Sequence, residues 1–155
     1  MTCTRVLLLA CLIGAMLGGR ANAQTTTTTT LLPITCSPDD RSFAGLRCQL
    51  EALTRRVADA RDAGALGRFG PGLLRRLEKA RLGLDQAALT CAGGNTKRAR
   101  KRVQAIARQV LETRAVIRSN NGRKVISAQV GRSLADEAAT VGSELRHLRH
   151  TLRCP

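Results

Sequence analysis

Between Leu46 and Leu152 the apolar residues return every three or four positions in four separate runs, and this period limits what the chain can become. The runs are Leu46, Leu50, Leu53, Val57 and Ala60; Leu73, Leu74, Leu77, Ala80, Leu84, Ala88 and Cys91; Ala99, Val103, Ile106, Val110, Thr113 and Ile117; and Val130, Leu134, Ala138, Val141, Leu145, Leu148 and Leu152. Each is one stripe on an amphipathic helix. The breaks between them are chemical as well: Gly64, Gly67 and Gly70-Pro71, then Gly93-Gly94 before Asn95, then Ser119-Asn120-Asn121-Gly122, where Asn and Gly tolerate the left-handed conformation that ends helices. Ser37-Pro38-Asp39-Asp40 reads as the first helix start, with Ser42 as a later alternative, and the fourth helix begins near Ser127.

Helices of about 20 to 27 residues joined by loops of about 4 to 8 predict an all-α, antiparallel up-down-up-down four-helix bundle. Such short loops leave no room for the long crossovers of a secreted cytokine bundle. The chain has two Phe, no Trp and no Tyr, so its core must be built from many small Leu, Ala and Val contacts.

The N-terminal residues carry a different signal. Arg5 precedes the apolar run Val6 to Leu17, and Ala21-Asn22-Ala23 closes it. This is the order of a secretory signal peptide, residues 1–23, cleaved near Ala23, and it implies a secreted or periplasmic protein. A membrane span would need roughly 20 apolar residues, and Arg20 interrupts this one. Leu8-Leu9-Ala10-Cys11 has the look of a lipid-attachment box, but only five apolar residues precede that Cys in the run. Residues 24–35, with six consecutive Thr, read as a flexible leader ahead of the bundle at 36–155.

Cleavage would remove Cys3 and Cys11 and leave Cys36, Cys48, Cys91 and Cys154, an even number that reads as two disulfides in an oxidising compartment. The expected topology gathers all four at one end of the bundle. Cys48 lies about 190° from the first stripe at 100° per residue, whereas Cys91 lies within the second. That favours Cys36 with Cys48 and Cys91 with Cys154 over a Cys48 to Cys91 bridge.

Charge is concentrated. With Arg5 and Arg20 gone, the formal +15 becomes +13, and the stretch from Asn95 to Ile126 holds ten basic residues against Glu112 alone. Lys97, Arg98, Arg100, Lys101 and Arg102, followed by Arg108, stand at the start of the third helix, the unfavourable end of its macrodipole for cations. The functional reading is a polyanion-binding patch for an anionic envelope surface or polymer. The plainer one is a solvated face in a chain with 22 Arg to 4 Lys. Base stacking needs aromatics, so sequence-specific nucleic-acid recognition is not expected.

No catalytic constellation emerges. Asp39-Asp40 and Asp136-Glu137 are adjacent pairs that point about 100° apart on a helix, so neither is a facing acid/base dyad. His147, His150 and Cys154 share a helical face with Glu144, but a disulfide would consume the thiolate that a metal site needs. The expectation is a protein that is not an enzyme and needs no cofactor or metal.

The runs Cys91-Ala92-Gly93-Gly94-Asn95, Arg118 to Ile126, and Leu152-Arg153-Cys154-Pro155 resemble uncharacterised helical modules of exported bacterial proteins, a resemblance that carries no activity. The architecture is also similar to the secreted inhibitors of invertase and pectin methylesterase, whose later bridge spans a shorter loop. The sequence therefore leads to an exported, basic, non-enzymatic helical module that binds an anionic surface or polymer. The alternative is an inhibitor or chaperone-like partner of another exported protein.

Overall fold

The computed structural model describes Cys36, Ser37 and residues 40–155; the signal peptide and leader expected from the sequence, and the Pro38-Asp39 start, lie outside them. The described residues form five α-helices and no strand: α1 Phe43–Asp62, α2 Gly70–Ala92, α3 Thr96–Arg118, α4 Asn120–Val125 and α5 Ala128–Thr151, with a 3-10 turn at Gly67–Phe69.

Helix starts follow the available capping oxygens. Ser42 caps α1, its Oγ accepting from the Gly45 N–H at 3.1 Å, so the helix begins at the later of the two expected positions. Asp40 serves that cap, its carboxylate accepting from the Ser42 N–H at 2.9 Å. Hydrogen bonds from the Ser42 side chain and then its backbone hold the Asp40 carboxyl below its ordinary value. A depressed carboxyl favours the folded state above its unfolded pKa, so this support is lost as pH falls through the folded value. Asn95 caps α3 as its sequence position suggests, accepting from the Arg98 N–H at 3.0 Å. Gly94, at φ 77°, supplies the left-handed residue that ends α2.

The connection after α3 differs from expectation. The sequence predicts a loop in which Asn and Gly end the helix by turning left-handed, but Gly122 has no positive φ. Ser119 makes the break instead, in extended conformation at ψ 159°, and its Oγ then accepts from the Gly122 N–H at 3.0 Å to start a short additional helix, α4. Gly122 matters through size. A Cβ there would lie 2.3 Å from the Val116 carbonyl oxygen and 2.6 Å from that of Ile117.

The four long helices pack around one core, with α3 against α2 and α5, α2 against α1, and a lighter seam between α1 and α5. Leu46, Leu50, Leu53, Leu73, Leu77, Leu84, Val103, Val110 and Leu145 are fully buried, and Thr113 is the one buried polar residue in the set. Its hydroxyl donates to the Gln109 carbonyl within its own helix. Ala87, Leu66 and Ile126 also enter the core, although the stripes did not single them out.

Without aromatic bulk, the seams close through small residues. Gly83 on α2 faces Ile106 of α3, Gly142 on α5 faces Leu111, and Gly131 on α5 faces Ile117 and Ile126; a Cβ at these glycines would lie 3.2, 2.8 and 3.2 Å from the nearest of those side chains. Opposite charges line the outside of the α1 seams: Arg47 and Arg81 reach Glu51 and Asp85 across α1 and α2, Arg41 meets Glu144 at 2.6 Å, and Arg56 pairs with Glu137.

Two disulfides join Cys36 to Cys48 and Cys91 to Cys154, the favoured pairing. The second ties the end of α2 to the residues just after α5, closing a separation of 63 residues, whereas the first closes 12 beside the start of α1. Away from these bridges, the Ser127 N–H donates to the Ala65 carbonyl at 3.1 Å and links the α1–α2 connection to the start of α5.

The glycines give a graded stability test. Gly72→Ala meets nothing within 4 Å and should stabilise the protein by about 0.5 kcal/mol through helix propensity. Gly122→Ala drives a methyl into backbone oxygens and should cost about 1–3 kcal/mol. Urea unfolding midpoints should rank Gly72→Ala above wild type and Gly122→Ala below it.

Candidate polyanion-binding face

The α3 helix is oriented by its apolar residues before its charges matter. Ala99, Val103, Ile106, Ala107, Val110, Thr113 and Ile117 turn inward, and the glycine contacts of α2 and α5 hold the helix on both flanks. At 100° per residue, Lys97, Lys101 and Arg108 then fall within about 40° of one another on the opposite side. All three are exposed. They span about 16 Å along the helix at 1.5 Å per residue, and Glu112, one turn further, ends the strip.

The six basic residues expected to form the patch are not equivalent. Arg100 donates from Nε and Nη2 to the Leu152 carbonyl at 3.2 and 2.8 Å, so its guanidinium closes the C-terminal end of α5. The last carbonyls of a helix have no partner within it and carry the negative end of its dipole, which makes a cation there favourable. Arg102 reaches back to α2, where its Nη1 donates to Gln86 Oε1 at 2.6 Å. Arg98 is exposed on the flank of α3 nearer α2. The outward strip is therefore Lys97, Lys101 and Arg108, with Arg98 beside it and with Arg100 and Arg102 engaged in holding helices together.

Among the described residues, no acidic side chain comes within 4 Å of a basic group on any of these six. Six acids pair elsewhere: Glu51, Asp85, Glu137 and Glu144 at the α1 seams, Asp62 beside Arg61, and Asp136, 3.8 Å from Arg118. Two further cations, which sequence reading did not find, lie close in the chain to residues of the α5 segment that meet α3. Arg146 stands one turn after Gly142, and Arg153 follows Leu152; both are exposed and neither has an acid partner among the described residues. Their position becomes visible only once Gly142 is known to face Leu111 and Leu152 to receive Arg100.

The other constellation noted in the sequence is dispersed by its own contacts. Cys154 is in a disulfide, Glu144 is bound to Arg41, and His147 and His150 are exposed. Among the described residues, no three His, Cys, Asp or Glu side chains form a group able to hold a metal ion. Asp136 and Glu137 pair separately with Arg118 and Arg56. Among the described residues, no helix is long and apolar enough to cross a membrane.

Comparison with known proteins finds no matching family model, no similar characterised protein and no similar solved structure.

The division of labour within the patch is measurable. Arg100→Ala should lower stability by about 1 kcal/mol, the value of a charge-assisted bond discounted for its exposure. Lys101→Ala should change it by less than about 0.5 kcal/mol, as expected of a surface position without partners. Chemical denaturation of the two variants compares them directly.

Proposed function

We propose that this protein is an exported, non-enzymatic binding module, an antiparallel up-down-up-down four-helix bundle, that engages an anionic surface or polymer through the outward strip of α3. The bundle reading is supported by contacts that run in opposite directions along neighbouring helices. From the start of α3 to its end, Arg100, Leu111 and Ile117 meet Leu152, Gly142 and Gly131, in descending order along α5. Along α2 and α3, Arg102 meets Gln86 and Ile106 meets Gly83. Export is supported by the signal-like N-terminal run and by two disulfides, which persist in oxidising compartments.

The observation that carries the binding reading is the unneutralised strip. Six described acids sit beside arginines, and Lys97, Lys101 and Arg108 are left without an acid partner on one exposed line. Three like charges along about 16 Å repel one another, and an anionic polymer or surface relieves that repulsion and releases its own counterions. The attraction is mostly Coulombic, since no aromatic side chain stands among these residues, and it must weaken as salt shortens the Debye length.

The runner-up, a protein-binding role as inhibitor or chaperone-like partner, draws on a different face. Leu82 and Leu89, seven residues apart on α2, are 54% and 74% exposed. Such a partner would bind with little dependence on salt.

Binding to heparin and to vesicles rich in anionic lipid separates the two. Lys97→Glu/Lys101→Glu/Arg108→Glu should weaken adsorption at least ten-fold at low salt, while wild type loses most of its own adsorption by 0.5 M salt. Adsorption unchanged by the triple reversal, or undiminished at high salt, would overturn the charge-driven reading.

A further inference from the structure

A second group of cations lies at the opposite end of α3, and it surrounds a cavity. Arg118 at the end of α3, Arg123 on α4 and Arg132 in the first turns of α5 border a cavity of about 650 Å³ where these helices meet. Its floor is apolar, formed by Ile117 and Ile126, which are 3% and 5% exposed, with Gly131 between them. The glycine leaves the hollow open, because a Cβ at 131 would lie 3.2 Å from Ile126 Cγ2 and 3.5 Å from Ile117 Cγ2.

The volume lies within the roughly 300–1,000 Å³ range of sites for small organic ligands. Its charge is one-sided. The lining contains three guanidinium groups and no carboxylate. Arg118 has only Asp136, 3.8 Å away and outside the lining; Arg123 donates to the neutral Asn120 Oδ1 at 2.8 Å; Arg132 has no acid partner among the described residues. By contrast, the groove of about 550 Å³ between α1 and α5 sets Asp136 and Glu137 beside Arg56, so it has no comparable preference for anions.

Guanidinium forks match the oxygens of carboxylate and phosphate, and an apolar floor rewards a hydrocarbon body attached to such a head. We infer that this cavity binds a single-chain amphiphilic anion, its carboxylate or phosphate head among Arg118, Arg123 and Arg132 and its chain over Ile117 and Ile126. The site is separate from the outward strip of α3 and uses residues that the polyanion reading leaves idle.

Calorimetric titration of the full protein, with probes kept below their micelle concentrations, tests this. Dodecanoate and dodecyl phosphate should bind one per protein, at least ten-fold tighter than either inorganic phosphate or the uncharged dodecyl maltoside. Arg123→Glu and Arg132→Glu, both at exposed positions, should each weaken binding at least ten-fold, and Ala128→Trp, which fills the rim, should do the same without altering charge. Lys97→Glu/Lys101→Glu should bind as wild type does. Whichever dodecyl anion binds tighter identifies the head group, and either order supports the site. The inference is overturned if neither anion binds, if the maltoside or inorganic phosphate binds as tightly, or if the α3 reversal removes binding while the cavity variants keep it.

Discussion

The close approach of α3 to its two neighbours, made possible by glycine, is the contact on which the rest of the molecule depends. Ile106 and Leu111 press on Gly83 and Gly142, and Ile117 packs by Gly131. Large aromatic residues are nearly absent, so the core cannot be filled by a few bulky groups and instead needs short distances between helices. Both flanks of α3 are thereby committed to packing, and its inner face to Val103, Val110 and their neighbours. One face is left for everything else.

That remaining face carries the proposed function because of where the acids go. Glu51, Asp85, Glu137 and Glu144 are spent along α1, α2 and α5, and the segment around α3 retains only Glu112. Repulsion within the strip and the adverse dipole at the start of α3 both work against folding. They are offset locally by Asn95, which caps the helix, by Arg100 on the Leu152 carbonyl at the end of α5, and by the Cys91–Cys154 bridge nearby. The end of the molecule that bears most of this charge is thus the end most firmly cross-linked.

Much of this was legible in the sequence. The four stripes identified most of the buried side chains of the long helices, missing Ala87, Ala107 and Ala135, because burial follows a 3.6-residue period. Asn95 and Gly94 were legible because capping and left-handed termination depend on a single residue's chemistry. The α4 helix was not, since Ser119-Asn120-Asn121-Gly122 serves a stop and a new start equally well, and Gly122 is fixed by the backbone oxygens of Val116 and Ile117. The packing roles of Gly83, Gly131 and Gly142 were hidden for a similar reason: they depend on side chains from another helix. Of the expected patch, the charge was legible but the roles were not. Arg100 and Arg102 differ from Lys101 only through Leu152 and Gln86, residues 52 and 16 positions away.

The chain's four lysines make the outward strip of α3 directly testable, because Lys97 and Lys101 belong to it whereas Lys79 and Lys124 are exposed elsewhere. Lysine acetylation, read residue by residue by mass spectrometry with and without a short heparin oligosaccharide, should show protection at Lys97 and Lys101 and unchanged modification at Lys79 and Lys124. Equal protection of all four, or protection confined to Lys79 and Lys124, would contradict the assignment of binding to this face.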